Sequence, residues 1–488
     1  MESRMKKMYK SISLLLILVT VSLFSFHEKK KVSGQPNIVV ILCDDLGYGD
    51  LSSYGHPVIE TPNLDKMASQ GMKFSNFYSA APVCSPSRVG LYTGRSPNRA
   101  GVYDFIIGGQ KQRPDNRDMV HLQAHEETIS SRLKSVGYAT CLSGKWHCSS
   151  LFNSEEQPTP DHFGFDHWFA THNNAAPSHE NPNNFVRNGE NLGEIEGYSC
   201  QIVVDEAVSW LETKEKDQPF YLQIAFHEPH EPVASPQDLV DKYLPMAENL
   251  KQAEYFANVA NVDLAVGRLM EYIEKNYGEN TLVIFTSDNG PETLDRYPKA
   301  SRSYGSPGDL KGMKLWTNEA GFRVPGIIYW MGQKGYSGNS DAVVSSLDFM
   351  PTFCELAGAE LPDRELDGES IVPLLKSGKF DRKTPLLWSF YNALNDQVVA
   401  MRDGDWKILA RLKMDNDYLP KIQNVYTGNE DSVRQASLTD FELYHMKNDK
   451  EEAIDLAGKN TKDLRRMKKL LESEYQKLLD DSHIWTRD

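Results

Sequence analysis

The sequence predicts an α/β fold in which helices cover both faces of a large, mostly parallel sheet. The first observation is a set of apolar, β-branched segments, each followed directly by a cluster of polar residues. Uninterrupted apolar segments of this length are typical of strands buried on both faces, as in parallel sheets. We predict these strands at residues 37–43, 138–142, 219–226 and 281–286.

Helical segments separate the predicted strands, which is the second observation behind this fold class. An alternation of strands with helices favours a sheet that is covered by helices on both sides. We place the helices at residues 61–70, 128–136, 203–212 and 255–276.

The pattern changes after residue 379, where short strand-like segments are separated by Asp, Gly and Asn turns. We therefore predict a main domain over residues 35–379 and a small antiparallel subdomain over residues 380–488. Within the main domain, the polar, Asn-rich residues 151–198 are predicted to form a long surface loop or insertion. The strands of the subdomain are expected at residues 385–391, 398–401, 406–412 and 441–446, and its terminal helix at residues 461–481.

The N-terminus differs from the rest of the chain. Basic residues precede an apolar segment at residues 12–26, which is shorter than the roughly 20 apolar residues of a spanning helix. This predicts a secretory signal peptide over residues 1–27 and an exported protein, periplasmic or secreted. We expect no stable membrane span in the mature chain, although an uncleaved anchor stays open because no A-x-A-like cleavage site follows. The basic residues are Arg4, Lys6, Lys7 and Lys10.

Charge and cysteine content exclude several classes of protein. The formal net charge of −15 argues against a nucleic-acid partner, which a basic surface would have to hold. An anionic substrate would need a locally basic pocket. Six cysteines in 488 residues do not make a disulfide scaffold, and the absence of a C-x-x-C pair argues against a thiolate zinc site.

Polar clusters stand at the ends of the four predicted strands of the main domain. In open parallel sheets, ligands bind beyond the carboxyl ends of the strands, so the fold is expected to bring these clusters together. Asp44, Asp45, Asp288 and Asn289 offer only oxygen donors, which suit a hard cation, calcium or magnesium, better than zinc. Other polar residues at these ends include Lys145, His147, His227, His230 and Ser287.

Residues 84–88 (CSPSR), followed by Thr93-Gly94-Arg95, carry the sharpest motif. In isolation, Cys84 could simply begin a helix with Pro86 in its first turn. The segment nevertheless resembles the C-x-P-x-R maturation signature of Cys-type sulfatases. That resemblance implies that a formylglycine-generating enzyme converts Cys84 to formylglycine (3-oxoalanine), whose hydrated aldehyde is the nucleophile.

Three further segments resemble the same family. They are residues 144–147 (GKWH), residues 229–232 (PHEP) and residues 310–314 (LKGMK), the last preceding Arg-Val-Pro at 323–325. The chain departs from the family at residues 318–321, where Glu-Gly-Gly is usual, and this puts Lys311 versus Lys314 in doubt. Spacing favours Lys314. The resemblance then implies a catalytic set of Cys84, Arg88, Lys145, His147, His230 and Lys314.

The family resemblance also implies an alkaline-phosphatase-like fold, one calcium ion and a mechanism. The mechanism is hydrolysis of a sulfate ester through a sulfo-enzyme intermediate, with Asp288 as base in the attack. His230 and Lys314 would assist the departing alcohol, and His147 would drive the release of sulfate. The implied calcium ligands are Asp44, Asp45, the modified Cys84, Asp288 and Asn289.

The expected substrate is a sulfated carbohydrate, such as an oligosaccharide from a sulfated polysaccharide. Residues 171–184 are rich in Asn and His, which can hydrogen-bond sugar hydroxyls, and His172 and Asn173 are the candidate substrate ligands. Trp168 and Trp316 could offer flat faces to a sugar ring. Two alternatives stay open: a phosphatase or phosphodiesterase of the same superfamily, and an inactive carbohydrate-binding relative.

Overall fold

The structure, a computed structural model, describes residues 34–109, 111–294, 301–333 and 337–487. Residues Gln35–Asp488 form one compact unit. The predicted signal peptide, residues 1–27, lies outside the described residues. Among the helices that are described, none combines the length and the apolar character that crossing a bilayer requires.

The strands and helices follow one another along the chain largely in the predicted order. The strands are β1 (Asn37–Asp44), β2 (Met72–Phe74), β3 (Phe77–Tyr78), β4 (Ala139–Lys145), β5 (His167–Thr171), β6 (Val186–Arg187), β7 (Glu190–Asn191), β8 (Phe220–Pro229), β9 (Thr281–Ser287), β10 (Gly326–Met331), β11 (Gly338–Ser340), β12 (Val344–Ser345), β13 (Leu386–Ser389), β14 (Val399–Asp403), β15 (Trp406–Met414), β16 (Asp417–Tyr418) and β17 (Ser437–His445). The α-helices are α1 (Pro62–Gln70), α2 (Cys84–Thr93), α3 (Ile129–Ser135), α4 (Ser199–Thr213), α5 (Gln237–Tyr243), α6 (Leu250–Tyr277), α7 (Glu319–Phe322), α8 (Phe349–Ala357), α9 (Val372–Ser377), α10 (Glu430–Gln435) and α11 (Thr461–Asp481).

The central sheet has ten strands in the order β11-β2-β10-β9-β1-β8-β4-β5-β6-β7. Its middle, from β9 to β5, is parallel, and antiparallel strands extend it on both sides. The four predicted strands are β1, β4, β8 and β9, and each runs one to three residues further into its polar cluster than predicted. The predicted α/β fold with a mostly parallel sheet is confirmed.

Alternate residues of β1 show that both faces of the sheet are buried. Ile38 and Val40 belong to one apolar core, whereas Val39 and Ile41 belong to the other. Side chains along a strand point alternately to its two faces, so a strand between two helical layers needs an unbroken apolar run. This is why the sequence of β1 shows no alternation of polar and apolar residues.

The C-terminal part contains a five-stranded antiparallel sheet, in which β13, β14, β15 and β16 are neighbours and β17 pairs with β15. Helix α11 lies against this sheet and begins and ends at the predicted residues. The predicted antiparallel sheet and helix are therefore confirmed. The domain boundary between residues 379 and 380 stays a prediction.

The prediction of a long surface loop over residues 151–198 is wrong in its centre. This stretch contributes β5, which pairs in parallel with β4 and extends the main sheet. Trp168 and Phe169 of β5 are 3% and 1% exposed, so Trp168 cannot offer a flat face to a sugar. A five-residue strand among polar turns gives only a short apolar run, which is why the pattern did not reveal it.

Candidate active site

The carboxyl ends of β1 and β9 bring the predicted metal ligands together. Asp45 follows β1 directly and has a left-handed backbone (φ 65°), and Asp288 follows β9 directly. The Asp288 amide donates to the Cys43 carbonyl (3.0 Å), and the Asp45 amide donates to the Asp288 carboxylate (3.2 Å). Adjacent strand ends are thus tied to each other, and Asp44 and Asn289 beside them are fully buried.

Helix α2 places Cys84 and Arg88 against this edge of the sheet. The helix begins at Cys84, has Pro86 in its first turn and is buried along its whole length. A Cβ on Gly90 would lie 2.4 Å from the Ala80 Cβ, so glycine allows the helix to pack this closely. Arg88 lies four residues after Cys84 and therefore on the same helix face.

The Cys84 side chain lies between a lysine and a carboxylate. Lys314 Nζ is 3.4 Å from Cys84 Sγ, and Asp45 Oδ1 is 3.9 Å from it. Burial raises the pKa of the Cys84 thiol well above its usual range. The unmodified residue would therefore be a neutral thiol at pH 7, and a neutral thiol is a weak nucleophile.

Three buried ion pairs surround Cys84, and their six charges cancel. They are Arg88 with Asp288 (2.8 Å), Lys145 with Asp44 (2.6 Å) and Lys314 with Asp45 (2.6 Å). Burial raises the pKa of Asp44, but Lys145 and the neighbouring cations outweigh that effect and hold the pKa well below its usual range. The Asp44 carboxylate is thus kept ionised without exposure to water, whereas burial raises the pKa of Asp288 to about 7.

The donor set fits a divalent metal ion. One ligand atom from each of Asp44, Asp45, Cys84 and Asp288 lies within 4.8 Å of the others. Asp44 Oδ1 and Asn289 Oδ1 are buried and have no hydrogen-bond partner among the described residues, and an ion at this position would satisfy both oxygens. Because the side-chain charges cancel, a divalent ion would leave the site positive, as an anionic sulfate ester requires. All five predicted metal ligands lie together.

His147 follows β4 and has a left-handed backbone (φ 53°). Its Nε2 is 2.9 Å from the Ile106 carbonyl, which can only accept, so Nε2 carries the proton and Nδ1 has the lone pair. Burial lowers the pKa of His147 well below its usual range. A neutral imidazole with a free lone pair on Nδ1 is suited to act as a base.

His230 follows β8 and faces the metal ligands. Its Nδ1 donates to the Glu231 carbonyl (2.7 Å), and its Nε2 lies 3.7 Å from Asp45 Oδ2. Burial lowers the pKa of His230 to about 3. His230 is therefore neutral at pH 7 and can act as an acid only after nearby negative charge, such as that of a bound ester, has raised its pKa.

The geometry favours Lys314 over Lys311 as the active-site lysine. Lys314 is 5% exposed and its Nζ contacts both Asp45 oxygens, at 2.6 and 2.8 Å. Lys311 is exposed, and its Nζ lies 5.6 Å from the centre of the Tyr444 ring in the C-terminal sheet. The lysine chosen from spacing is thus the one that lies in the site.

His172 and Asn173 lie directly after β5, next to His147. The rings of His172 and His147 are 5.7 Å apart, and the His147 amide donates to the His172 carbonyl (2.8 Å). His172 Nε2 and Asn173 Oδ1 are buried atoms for which the described residues provide no hydrogen-bond partner. Both predicted substrate ligands therefore lie beside the catalytic set, and each has a polar atom available.

The sequence analysis missed two supports of this arrangement. His227 Nε2 is 2.8 Å from Thr171 Oγ1, which in turn donates to the Asn173 carbonyl (2.8 Å). His227 therefore fixes the segment that carries Asn173, and its position three residues before His230 was the available signal. The second support is the Ile106 carbonyl, which orients His147. Because it is a backbone group, the identity of residue 106 gives no sign of this contact.

The fold and this site define the protein as a member of the sulfatase family, since residues 36–359 match that family. Residues 313–419 also match the family described as N-sulphoglucosamine sulphohydrolase, C-terminal. The chain is accordingly a sulfuric ester hydrolase. The family match favours this class over the phosphatase and binding-protein alternatives.

Particular relatives agree with this assignment. The chain is 34% identical over 401 residues to arylsulfatase A of Homo sapiens, covering 77% of this chain and 75% of that protein. It is 30% identical over 462 residues to N-acetylgalactosamine-6-sulfatase of Sus scrofa, covering 89% and 84%. The crystal structure of Ps i-CgsB superposes with a TM-score of 0.73 at 27% identity, covering 92% of this chain and 94% of that one.

Proposed function

We propose that this sulfatase hydrolyses sulfate esters on carbohydrates, using a formylglycine at position 84 and a calcium ion. The observation that carries the proposal is the set of three buried ion pairs around Cys84, next to oxygens that lack partners. Such a site is neutral alone and cationic with a divalent ion. Its charge therefore matches a sulfate monoester even though the whole chain is acidic.

Two features support a modified Cys84 rather than a thiol nucleophile. Cys84 stands in the maturation signature with Pro86 and Arg88, and burial raises the pKa of its thiol well above the usual range. A formylglycine-generating enzyme is the partner that this modification requires. Cys84 starts a buried helix, so the modification would have to precede folding.

The all-oxygen donor set supports calcium as the bound ion. The ligands would be Asp44, Asp45, Asp288, Asn289 and the modified residue 84. When bound, the ion and the aldehyde hydrate at position 84 together supply an activated hydroxyl nucleophile.

The remaining residues have assignable roles in the reaction. Asp288 would accept the proton of the nucleophile, since a carboxylate oxygen of Asp288 lies within 4.8 Å of the Cys84 side chain. Arg88 orients Asp288 through two contacts, at 2.9 and 2.8 Å, and Lys145 keeps Asp44 ionised. Lys314 would stabilise the departing alcohol with His230, and His147 Nδ1 would take the proton during release of sulfate.

The relatives support a carbohydrate substrate. One is named N-acetylgalactosamine-6-sulfatase, and Ps i-CgsB has also been solved in complex with k-i-k-neocarrahexaose. The apolar segment at residues 12–26 supports export to the periplasm or the medium, where polysaccharides are met.

Sulfated oligosaccharides are expected to be better substrates than aryl sulfates, and His172 and Asn173 are expected to contribute. Released sulfate should be measured for fragments of sulfated algal polysaccharides, for glycosaminoglycan fragments and for a small aryl sulfate. His172→Ala and Asn173→Ala should each raise KM on the best sugar up to about tenfold, as for a lost hydrogen bond.

The matched control is Asn183→Ala, because Asn183 is an exposed asparagine in the same segment. Its KM should equal that of the wild type. Higher kcat/KM on aryl sulfates than on every sulfated sugar would exclude the carbohydrate proposal, while unchanged kinetics in both variants would remove only the role of this segment.

Removal of the metal is expected to abolish turnover and to lower the melting temperature. An ion present at about 100 times its Kd stabilises the folded chain by about 2.7 kcal/mol. Chelation followed by dialysis should be compared with readdition of calcium, with melting temperature and sulfate release as readouts. In Asp288→Asn, which lacks a ligand, chelation should change the melting temperature far less. Stoichiometric zinc without calcium or magnesium in the purified enzyme would contradict this assignment.

A further inference from the structure

A second charged cavity lies outside the catalytic set. It has a volume of about 650 Å³ and opens between the C-terminal sheet and the β2–β10 side of the central sheet. We call it the arginine groove, after three arginines in its wall. Its cationic lining residues are Arg323, Arg382, Arg402, Lys447 and Lys450. Its acidic lining residues are Asp341, Asp381, Asp405 and Glu451, which are exposed, and Asp449, which is half-buried.

The buried charges at the wall of the arginine groove are not balanced. Arg323 pairs with Glu319 (2.5 Å), and Lys407 pairs with Glu319 (2.9 Å) and Glu452 (2.7 Å). Arg402 is 4% exposed and pairs with no carboxylate among the described residues. Three buried cations thus stand against two buried carboxylates. An uncompensated buried charge is costly, so an anion beside Arg402 would be favoured.

The guanidinium groups of this wall also have unused donors. Arg323 Nη2 and Arg382 Nη1 are buried and have no hydrogen-bond partner in the part of the chain that the structure describes. Among the described residues, Arg402 donates only to neutral oxygens, those of Asn76, Gly404 and Tyr78. Buried donors are nearly always satisfied, and a planar guanidinium fork matches the oxygens of a sulfate or carboxylate group.

The arginine groove lies at the same edge of the sheet as the active site. In the ladder, Phe74 of β2 is opposite Gly326 of β10, which is opposite Thr286 of β9. Ser75 and Arg323, which line the groove, therefore stand beside the end of β9, two strands or roughly 10 Å away from it. A further hollow of about 780 Å³ shares Asp341, Ala342, Phe380 and Asp381 with the groove and extends it.

We propose that the arginine groove is a second anion-binding site, which takes a sulfate-type oxyanion. Two sources have this chemistry: a further sulfate or carboxylate group on a bound carbohydrate, and free inorganic sulfate, the product of the reaction. The site itself does not depend on the proposed substrate. Only the carbohydrate source rests on it.

The first experiment asks whether the groove holds an anion. Crystals of the full chain soaked in sodium selenate should show an anomalous peak between Arg402 and Arg323. Arg402→Gln, which removes the unbalanced charge but retains hydrogen-bonding atoms, should lose that peak. Lys447→Ala changes only an exposed lining residue and should reduce its occupancy even if Arg402→Gln fails to fold. The absence of a groove peak in the wild type would overturn the proposal.

The second experiment distinguishes the two sources. KM should be measured for oligosaccharides that carry one sulfate and for those that carry several. If the groove binds the carbohydrate, Lys447→Ala should raise KM about tenfold for the multiply sulfated compounds and much less for the singly sulfated ones. If the groove shows a peak but Lys447→Ala has the wild-type ratio of KM values for multiply and singly sulfated compounds, the site is assigned to free sulfate. Lys469→Ala, an exposed lysine of α11 outside the groove, is the matched control.

Discussion

Cys84→Ala is expected to lower kcat by about four to six orders of magnitude while the protein still folds. Loss of an enzyme nucleophile typically has an effect of this size. Position 84 is 2% exposed, and alanine fills most of the space of a cysteine or formylglycine side chain there. The loss of folding free energy should therefore be about 1 kcal/mol. Sulfate release on the best substrate and the melting temperature are the two measurements.

The matched control is Cys354→Ala, which makes the same replacement of a buried cysteine by alanine in α8. It should keep wild-type kcat with a similar small drop in melting temperature. The mass of the wild-type peptide that contains Cys84 should correspond to an aldehyde in place of a thiol. Wild-type turnover by Cys84→Ala would contradict the proposed nucleophile, whereas a thiol mass in a fully active enzyme would contradict only the modification.

The central strands were predictable because each of them meets the same physical requirement, which is burial on both faces. Strands β1, β4, β8 and β9 are buried on both faces, so each appears as an uninterrupted apolar run that ends in polar residues. The outer strands lack this signal. β2, β5 and β11 are three to five residues long, and their place in the sheet depends on partners that are distant in sequence.

The candidate site was predictable to the extent that its chemistry resides in side chains at strand ends. Asp44, Lys145 and Asp288 stand there; the order of strands brings Lys145 within ion-pair distance of Asp44, and helix α2 brings Arg88 to Asp288. What could not be predicted depends on backbone atoms or on charge balance. The Ile106 carbonyl fixes the tautomer of His147, and the three-against-two charges at the arginine groove involve residues from separate elements.

The acidic net charge of the chain is compatible with an anionic substrate because exposed and buried charges act over different distances. Exposed carboxylates are screened by salt beyond a Debye length of about 8 Å. The buried charges of the three ion pairs are not screened in this way, and since they cancel, a divalent ion beside them would set a positive potential where an ester would bind. The net charge of the chain therefore says little about the sign of its site.

His147 and His230 are expected to act at different steps, and their alanine variants should differ in dependence on the leaving group. His230 Nε2 faces Asp45 on the side of Lys314, so His230→Ala should slow cleavage of the ester bond by about 10²- to 10⁴-fold. The loss should be largest for alcohols of high pKa, which need a proton to depart. An aryl sulfate with an acidic phenol should be affected least.

His147→Ala should instead slow the release of sulfate after the alcohol has left. His147 Nδ1 has a lone pair because the proton is on Nε2, which donates to the Ile106 carbonyl, and no described residue forms a hydrogen bond with Nδ1. Rapid mixing with an aryl sulfate should give a burst of about one equivalent of phenol, followed by turnover that is about 10²- to 10⁴-fold slower and independent of the phenol. His56→Ala is a suitable control, because His56 lies outside the catalytic set. Its Nδ1 accepts hydrogen bonds from the backbone amides of Val58 and Ile59. Equal sensitivity of the His147 and His230 variants to the leaving group, with no burst in either, would show that the two histidines do not divide the reaction in this way.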